Sequence, residues 1–95
     1  MKADMSKMLP KERPPTTPGE VLIKEFMKPI EMTQLALAKK MGVSVQRVNP
    51  LINGKRGVSA ETAFLLARVL ETSPEFWMNL QVRCDLWEAH RKLGK

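Results

Sequence analysis

The sequence predicts an all-α fold, a compact bundle of five short helices. Apolar residues recur at intervals of three and four, which place them on one face of a helix; Ala63, Leu66, Ala67 and Leu70 are an example. Residues that favour helix starts and stops separate these segments from one another. No segment alternates apolar and polar residues as a half-buried strand does, so the all-α interpretation has no competitor.

Composition indicates one soluble domain. The chain has 95 residues, of which 43% are apolar and 27% charged, as in an ordinary globular protein. Its apolar runs fall short of the roughly 20 residues that a membrane-spanning helix needs. The single cysteine, Cys84, cannot form an internal disulfide, which fits the reducing cytoplasm. No second cysteine or histidine is spaced to complete a metal site with it, so we expect neither a metal nor a cofactor.

Residues 1–17 differ in composition from the rest of the chain. They are polar and contain three prolines, Pro10, Pro14 and Pro15. This composition predicts a flexible N-terminal arm ahead of a folded domain over residues 18–95. Such an arm could follow DNA phosphates or wrap a protein partner, and plain disorder is an equally open interpretation.

The first two helices have clear start and stop signals. Pro18 is favoured in the first turn of a helix, and Pro29 is predicted to end the helix that it begins. Thr33 is a good N-cap for a second helix that runs through Met41. Gly42 follows as a left-handed C-terminal stop, a conformation in which a side chain costs energy.

Serines mark the starts of the remaining three helices. Ser44 caps a third helix that runs to about residue 53 and stops at Gly54. Ser59 caps a fourth helix, and Ser73 with Pro74 begins the fifth. The fifth helix carries large apolar groups that either complete the core of one monomer or form a dimer interface, and both interpretations stay open. They are Phe76, Trp77, Leu80, Leu86 and Trp87.

Helices two and three fit the requirements of a helix-turn-helix pair. Two helices that cross at a steep angle need a short turn and a small residue where they touch. Gly42 supplies the turn, and Ala38 supplies the small contact. The other positions that point inward are all apolar: Leu37, Met41, Val43, Val48 and Leu51. Together these positions predict a helix pair that reads DNA.

The positive charge of the chain concentrates in the same region. The net charge is +6, and no acidic residue lies between Glu31 and Glu61. The cations within that gap are Lys39, Lys40, Arg47, Lys55 and Arg56. A positive face on such a helix pair matches the major groove of double-stranded DNA. The alternative is a charged surface that only keeps the protein soluble.

The third helix is predicted to read bases with three polar side chains. With Val48 and Leu51 turned inward, the side chains of Gln46, Arg47 and Asn49 face outward. Gln and Asn can pair with adenine through two hydrogen bonds, and Arg can do so with guanine. Phosphate contacts are expected from the helix starts and from the end of the third helix. The residues are Thr33, Gln34, Ser44, Asn53, Lys55 and Arg56. The alternative is a solvated helix face.

Pro50 is an anomaly within this helix. It removes the backbone hydrogen bond to the Gln46 carbonyl, and in a regular helix it costs about 3 kcal/mol. Either the helix kinks at Pro50 or its first part is one short turn. We expect a bend that changes the direction of Asn53 and Lys55.

Several of these residues resemble a known family. The helix-turn-helix repressors of the phage, or lambda-repressor-like, type are matched by Thr33-Gln34, Leu37-Ala38 and Gly42-Val43-Ser44. The antidote proteins of plasmid-maintenance systems, the HigA or virulence-associated protein I type, are matched more specifically by Arg47-Val48-Asn49, residues 51–57 and residues 73–81. The resemblance spans about residues 18–86. Glu71 departs from it, because the pattern has glycine at the end of helix four.

The resemblance implies both a function and partners. It implies an antitoxin that neutralises a cognate toxin, a small RNase acting on mRNA, and that represses their shared promoter. Helix-turn-helix dimers place two recognition helices in successive major grooves, so a homodimer on an inverted repeat is expected. The alternatives are a stand-alone transcriptional regulator and a module that binds a toxin without binding DNA. We expect no enzyme, since His90, the only histidine, has no nucleophile to act with.

Overall fold

The structure, a computed structural model, describes residues 14–94 and contains five helices within that range. The first begins as α1 (Pro18–Val21) and continues as a π-helical segment (Leu22–Met27) and a 3-10 turn (Lys28–Ile30). The others are α2 (Gln34–Met41), α3 (Val45–Ile52), α4 (Ala60–Leu70) and α5 (Pro74–Leu93). No strand occurs among the described residues, and the predicted all-α, five-helix fold is confirmed.

The N-terminal arm predicted over residues 1–17 lies mostly outside the described residues. Residues 1–13 are not described, so the flexibility of the arm stays a prediction. At its end, Thr17 forms a capping box with Glu20: the Thr17 hydroxyl accepts the Glu20 N–H at 3.2 Å, and the Glu20 carboxylate accepts the Thr17 N–H at 3.0 Å. The last residue assigned to the arm therefore helps to start the first helix.

Local caps define the starts of the other helices as the sequence predicts. The hydroxyls of Thr33, Ser59 and Ser73 each accept the backbone N–H three residues later, at 3.0, 3.2 and 3.1 Å. Ser44 occupies the N-cap position of α3 with extended backbone, but its side chain makes no capping hydrogen bond within the described chain. The predicted position of that cap is right, and the predicted hydroxyl bond is absent.

The end of the first helix lies one residue beyond the predicted stop. Pro29 was expected to end the helix, but it lies inside the 3-10 turn, which continues to Ile30. Proline is tolerated there because it stands at the start of that turn, where a backbone N–H is not needed for the turn's own hydrogen bonds. Glu31 then ends the turn in the left-handed conformation, with φ of 55°.

The core draws one fully buried large side chain from each of the five helices. These side chains are Leu22, Leu37, Val48, Leu66 and Trp77. The inward faces predicted for α2 and α3 are buried as expected, with Ala38, Met41 and Leu51 joining the same cluster. Each helix therefore removes its apolar stripe from water by packing on its neighbours around one shared core.

The large apolar groups of α5 divide between the two interpretations. In the first turn, Phe76 and Trp77 pack with Phe26 of the first helix, at ring-centroid distances of 6.1 and 5.4 Å from it. Trp77 belongs to the core of one monomer, and Phe26 packs against that core, while Phe76 covers them from the surface at 37% exposure. Farther along α5, Leu86 and Leu93 are exposed. The second half of the helix therefore keeps an apolar face outside that core.

Glu71 is strained at the end of α4, and replacing it with glycine is expected to stabilise the protein. Its φ is 58°, a left-handed conformation that costs about 1 kcal/mol for a residue with a Cβ atom. Part of that gain is lost because glycine is more flexible in the unfolded chain. We expect Glu71→Gly to raise the melting temperature by about 2–6 °C. Thermal denaturation followed by circular dichroism measures this change.

The matched control for this substitution is Glu71→Ala. Alanine removes the same charge but keeps the Cβ atom and therefore the backbone strain. We expect no rise in melting temperature for Glu71→Ala. An equal rise for both variants would attribute the effect to charge and not to backbone conformation.

Candidate nucleic-acid interface

A tight turn sets α3 across α2. Gly42 ends α2 with φ of 76°, as predicted for its left-handed stop. The N–H groups of Gly42 and Val43 return to the carbonyls of Lys39 and Ala38, at 3.2 and 3.0 Å. Val48 of α3 is buried in the same core cluster as Ala38 of α2. The turn therefore leads directly into the helix that carries the predicted base-reading residues.

α3 is buried on one side and polar on the other. Val48, Leu51 and Ile52 are buried, while Gln46 and Asn49 are exposed. The inward face and the exposure of Gln46 and Asn49 agree with the prediction, whereas Arg47, also expected to face outward, is half-buried. Contact of the outward side chains with bases stays a prediction.

Arg47 lies at the edge of α3 nearest α4 and is not free. Its Nη2 atom donates to Oε1 of Glu61 at 3.1 Å and to Oγ1 of Thr62 at 3.4 Å. Both partners belong to the first turn of α4. The guanidinium predicted to read guanine is therefore paired with a carboxylate.

Three side-chain amides join α2 to α3 on the opposite edge. Asn49 donates from Nδ2 to Oε1 of Gln34 at 3.1 Å, and its Oδ1 accepts from Nδ2 of Asn53 at 3.1 Å. We call Gln34, Asn49 and Asn53 the amide cluster. Each amide has two donor hydrogens and two acceptor lone pairs, so Asn49 retains one of each. A bidentate contact with adenine uses one donor and one acceptor of the amide.

The predicted phosphate-contacting residues surround these side chains in three groups. Thr33 and Gln34 lie at the start of α2, and Ser44 lies at the start of α3. Asn53, Lys55 and Arg56 follow the end of α3 and are exposed. The helix starts offer backbone N–H groups, which suit an anion, and the two cations add charge.

Pro50 does not interrupt α3, and it holds the loop that follows, residues 53–59, which carries Lys55 and Arg56 and which we call the basic loop. The helix continues without a break to Ile52, so the alternative of one short first turn is wrong. A bend at Pro50 stays a prediction. The Pro50 carbonyl accepts the backbone N–H groups of Lys55 and Arg56, at 2.9 and 3.2 Å. These two bonds fix the start of the loop that carries the cations.

Glu61 and Gln81 also belong to this region, although neither was among the predicted site residues. The sequence marks Glu61 as the acid that ends the acid-free stretch, and the structure shows that it holds Arg47. Gln81 of α5 accepts the Val58 N–H at 2.8 Å and donates to Asp85 at 3.0 Å, which secures the far end of the basic loop. No local signal could reveal the contacts of Arg47 with Glu61 and of Val58 with Gln81, because they join residues 14 and 23 positions apart.

Cys84 of α5 is the one cysteine of the chain and is partly buried. Burial raises the pKa of the Cys84 thiol, and the charges of Asp85 and Glu20 raise it further, while Arg83 opposes them. The thiol therefore stays protonated, as a packing residue does.

Across residues 14–94, no group of three or more potential metal ligands occurs, and no helix is long and apolar enough to cross a membrane.

The comparison with known proteins identifies the family. Residues 23–77 match the family described as helix-turn-helix. Among curated relatives, antitoxin HigA-1 of Vibrio cholerae is 44% identical over 82 residues, covering 85% of this chain and 76% of that protein. This chain belongs to the helix-turn-helix family, in the group that includes antitoxin HigA-1. The resemblance inferred from the sequence is confirmed.

Other helix-turn-helix proteins support the same assignment. The uncharacterised transcriptional regulator YbaQ of Escherichia coli is 41% identical over 81 residues, covering 85% of this chain and 72% of that protein. The solved structure of Pseudomonas aeruginosa antitoxin HigA with the higBA promoter has 40% identity and a TM-score of 0.81, covering 84% of this chain and 87% of that one. Antitoxin GraA in complex with its operator has 41% identity and a TM-score of 0.80, covering 90% and 87%.

Proposed function

We propose that this protein is a sequence-specific DNA-binding antitoxin that represses the promoter of its own toxin–antitoxin operon. One observation carries the proposal: α3 has a polar face that includes part of the amide cluster. The fold that presents this face is shared with antitoxin HigA of Pseudomonas aeruginosa, whose structure was solved with the higBA promoter. A single cysteine and a DNA ligand both fit the cytoplasm, where we place this function.

In this proposal α3 lies in the major groove. Gln46, Arg47 and Asn49 contact base edges, because they are the polar side chains on and beside its exposed face. The backbone of the duplex lies against the starts of α2 and α3 and against the basic loop. The phosphate contacts come from Thr33, Gln34, Ser44, Asn53, Lys55 and Arg56.

Removing one base-reading side chain is expected to weaken operator binding selectively. Asn49→Ala or Arg47→Ala should cost about 1–3 kcal/mol of operator affinity and relax the preference at one base pair. The reason is that each side chain offers two hydrogen bonds to one particular base. Titration of the promoter duplex, and of duplexes with single base-pair changes, measures the effect.

Lys55→Ala is the control for this experiment. A lysine that contacts phosphate reads no base, so this variant should weaken binding to all duplexes alike and reduce the salt dependence by about one phosphate. If both α3 variants bind the promoter as tightly as the wild type, α3 is not the reading helix.

A homodimer is the second part of the proposal. Val82, Leu86, Ala89 and Leu93 recur at intervals of four, three and four along the outer side of α5, and all four are exposed. This is the spacing of a coiled-coil seam. Pairing of two copies along it would give two recognition helices and an inverted-repeat operator. Nuclease protection of the promoter should then cover two half-sites about one helical turn apart.

The third part of the proposal is that the protein neutralises a cognate toxin, and the similarity to antitoxin HigA-1 supports it. The partner we propose is a small mRNA-cleaving RNase from the adjacent gene. The test is to measure binding of the purified protein to its own upstream region, with and without the adjacent gene product, and cleavage of mRNA by that product. An adjacent product that neither binds the protein nor loses RNase activity in its presence would contradict this part.

A stand-alone transcriptional regulator is the second candidate. The observation that favours it is the 41% identity to YbaQ, which is described as a transcriptional regulator and not as an antitoxin. A stand-alone regulator would also bind its promoter, but it would have no toxin partner. The same experiment separates the two, because only an antitoxin inhibits the product of a neighbouring gene.

A further inference from the structure

The contact between Arg47 and Glu61 lies at the edge of the proposed reading face. The Arg47 side chain is 35% exposed and that of Glu61 is 75% exposed, and they meet at 3.1 Å. Thr62, which is buried, accepts a second bond from the same nitrogen of Arg47 at 3.4 Å. Arg47 is therefore attached to α4 through one nitrogen, Nη2.

That nitrogen is the one that guanine recognition requires. A guanidinium can present two parallel N–H groups either from Nη1 and Nη2 or from Nε and Nη2. Nη2 is common to both pairs. Nη2 already donates to Glu61 and Thr62, so a base that uses either pair of N–H groups has to compete with them for this nitrogen. Arg47 therefore reads guanine through two hydrogen bonds in competition with Glu61.

We propose that Glu61 is a specificity-determining residue, because it makes Arg47 choose between its own carboxylate and a guanine. This proposal rests on the DNA-binding function proposed above. Guanine offers two acceptors and can replace both contacts, while another base at that position offers one or none. Over a wrong base, Arg47 stays with Glu61 and contributes no affinity.

Glu61 also restrains Arg47 from contacting phosphate. A free arginine at the edge of the groove would bind the nearest phosphate on any sequence, which raises affinity without adding specificity. The amide cluster on the other edge differs, because its bonds are neutral and leave Asn49 one donor and one acceptor. Arg47 therefore differs from Asn49, because it has to give up a bond to a carboxylate in order to contact a base.

The test uses Glu61→Gln, which keeps the shape of the side chain and removes its charge. Affinity is measured by fluorescence anisotropy on the promoter duplex and on a shuffled duplex of equal composition, across a series of salt concentrations. We expect the variant to bind the shuffled duplex about two- to fivefold more tightly, the range for loss of an exposed ion pair. Its salt slope on that duplex should increase by about one phosphate. The promoter should gain less, so the ratio of the two affinities falls.

Two controls isolate the role of Arg47. Glu75→Gln removes an acid from the first turn of α5, the same helix position that Glu61 has in α4. Glu75 has no bond to Arg47, so this variant should leave the ratio of the two affinities unchanged. In an Arg47→Ala background, Glu61→Gln should no longer change the ratio. Melting temperatures of all variants verify that they are folded.

The proposal is overturned if Glu61→Gln binds both duplexes more tightly by the same factor and does so in the Arg47→Ala background as well. Glu61 would then act only as a negative charge that repels DNA. A wild type that discriminates and a Glu61→Gln variant that discriminates equally would overturn it while leaving the proposed function intact. A wild type that binds promoter and shuffled duplex alike would remove both.

Discussion

Gly19→Ala is expected to destabilise the protein by about 3 kcal/mol, the upper part of the range for overpacking. A Cβ atom on Gly19 would lie 2.5 Å from the carbonyl oxygen of Leu51 and 2.6 Å from that of Ile52. Both are backbone atoms at the end of α3, so neither can rotate away as a side chain would. Either the first helix moves or α3 does.

Thermal denaturation and DNA titration measure the two consequences. The melting temperature should fall by about 12–24 °C, given about 4–8 °C per kcal/mol for a domain of this size. Operator affinity should also fall at temperatures where the variant is still folded, because displacement of Ile52 moves the basic loop that follows it.

Gly57→Ala is the matched control for Gly19→Ala. A Cβ atom there would meet only the end of the Gln81 side chain, at 3.0 Å, which can move at the cost of its bond to the Val58 N–H, whereas backbone atoms cannot. We expect a smaller fall in melting temperature than for Gly19→Ala. Equal effects of the two substitutions would contradict the explanation by backbone contact.

Trp77→Ala is expected to cost about 3–5 kcal/mol of the free energy of unfolding. Trp77 is fully buried, packs against Phe26 and Phe76, and donates from Nε1 to the Thr72 hydroxyl at 2.7 Å. Its removal leaves a large cavity and an unpaired hydroxyl. Since a domain of this kind has a total stability of about 5–15 kcal/mol, the loss is a large part of the whole.

Urea denaturation measures this loss, and two variants divide it. Trp77→Phe keeps an aromatic ring but removes the bond to Thr72, so we expect a loss of about 1–3 kcal/mol. Phe76→Ala removes a ring that is 37% exposed, so it should cost less than Trp77→Ala. If Phe76→Ala loses as much free energy of unfolding as Trp77→Ala, the difference in burial does not explain how much each ring contributes to stability.

The local features of the fold were predictable from the sequence. Thr33, Ser59 and Ser73 cap their helices because each capping bond reaches only three residues along the chain. Gly42 ends α2 in the left-handed conformation for an equally local reason. Two predictions of the same kind failed in part: Pro29 lies inside a turn, and the Ser44 hydroxyl makes no capping bond.

The candidate interface was predictable in outline and not in its bonding. The turn at Gly42 and the apolar positions Val48 and Leu51 were sufficient to orient α3, because helical periodicity decides which residues share a face. Pro50 could be recognised as an anomaly. Its carbonyl bonds to Lys55 and Arg56 could not, since they depend on how the loop folds back.

The sequence by itself determined where most helices begin and end, which face of each is apolar and where positive charge collects. Only the tertiary structure decided what the polar side chains of α3 are bonded to. Arg47 meets Glu61 across 14 residues, and Asn49 meets Gln34 across 15. The physical reason is that caps and periodicity act over a few residues, whereas side chains on different helices meet only after the shared core has packed those helices together.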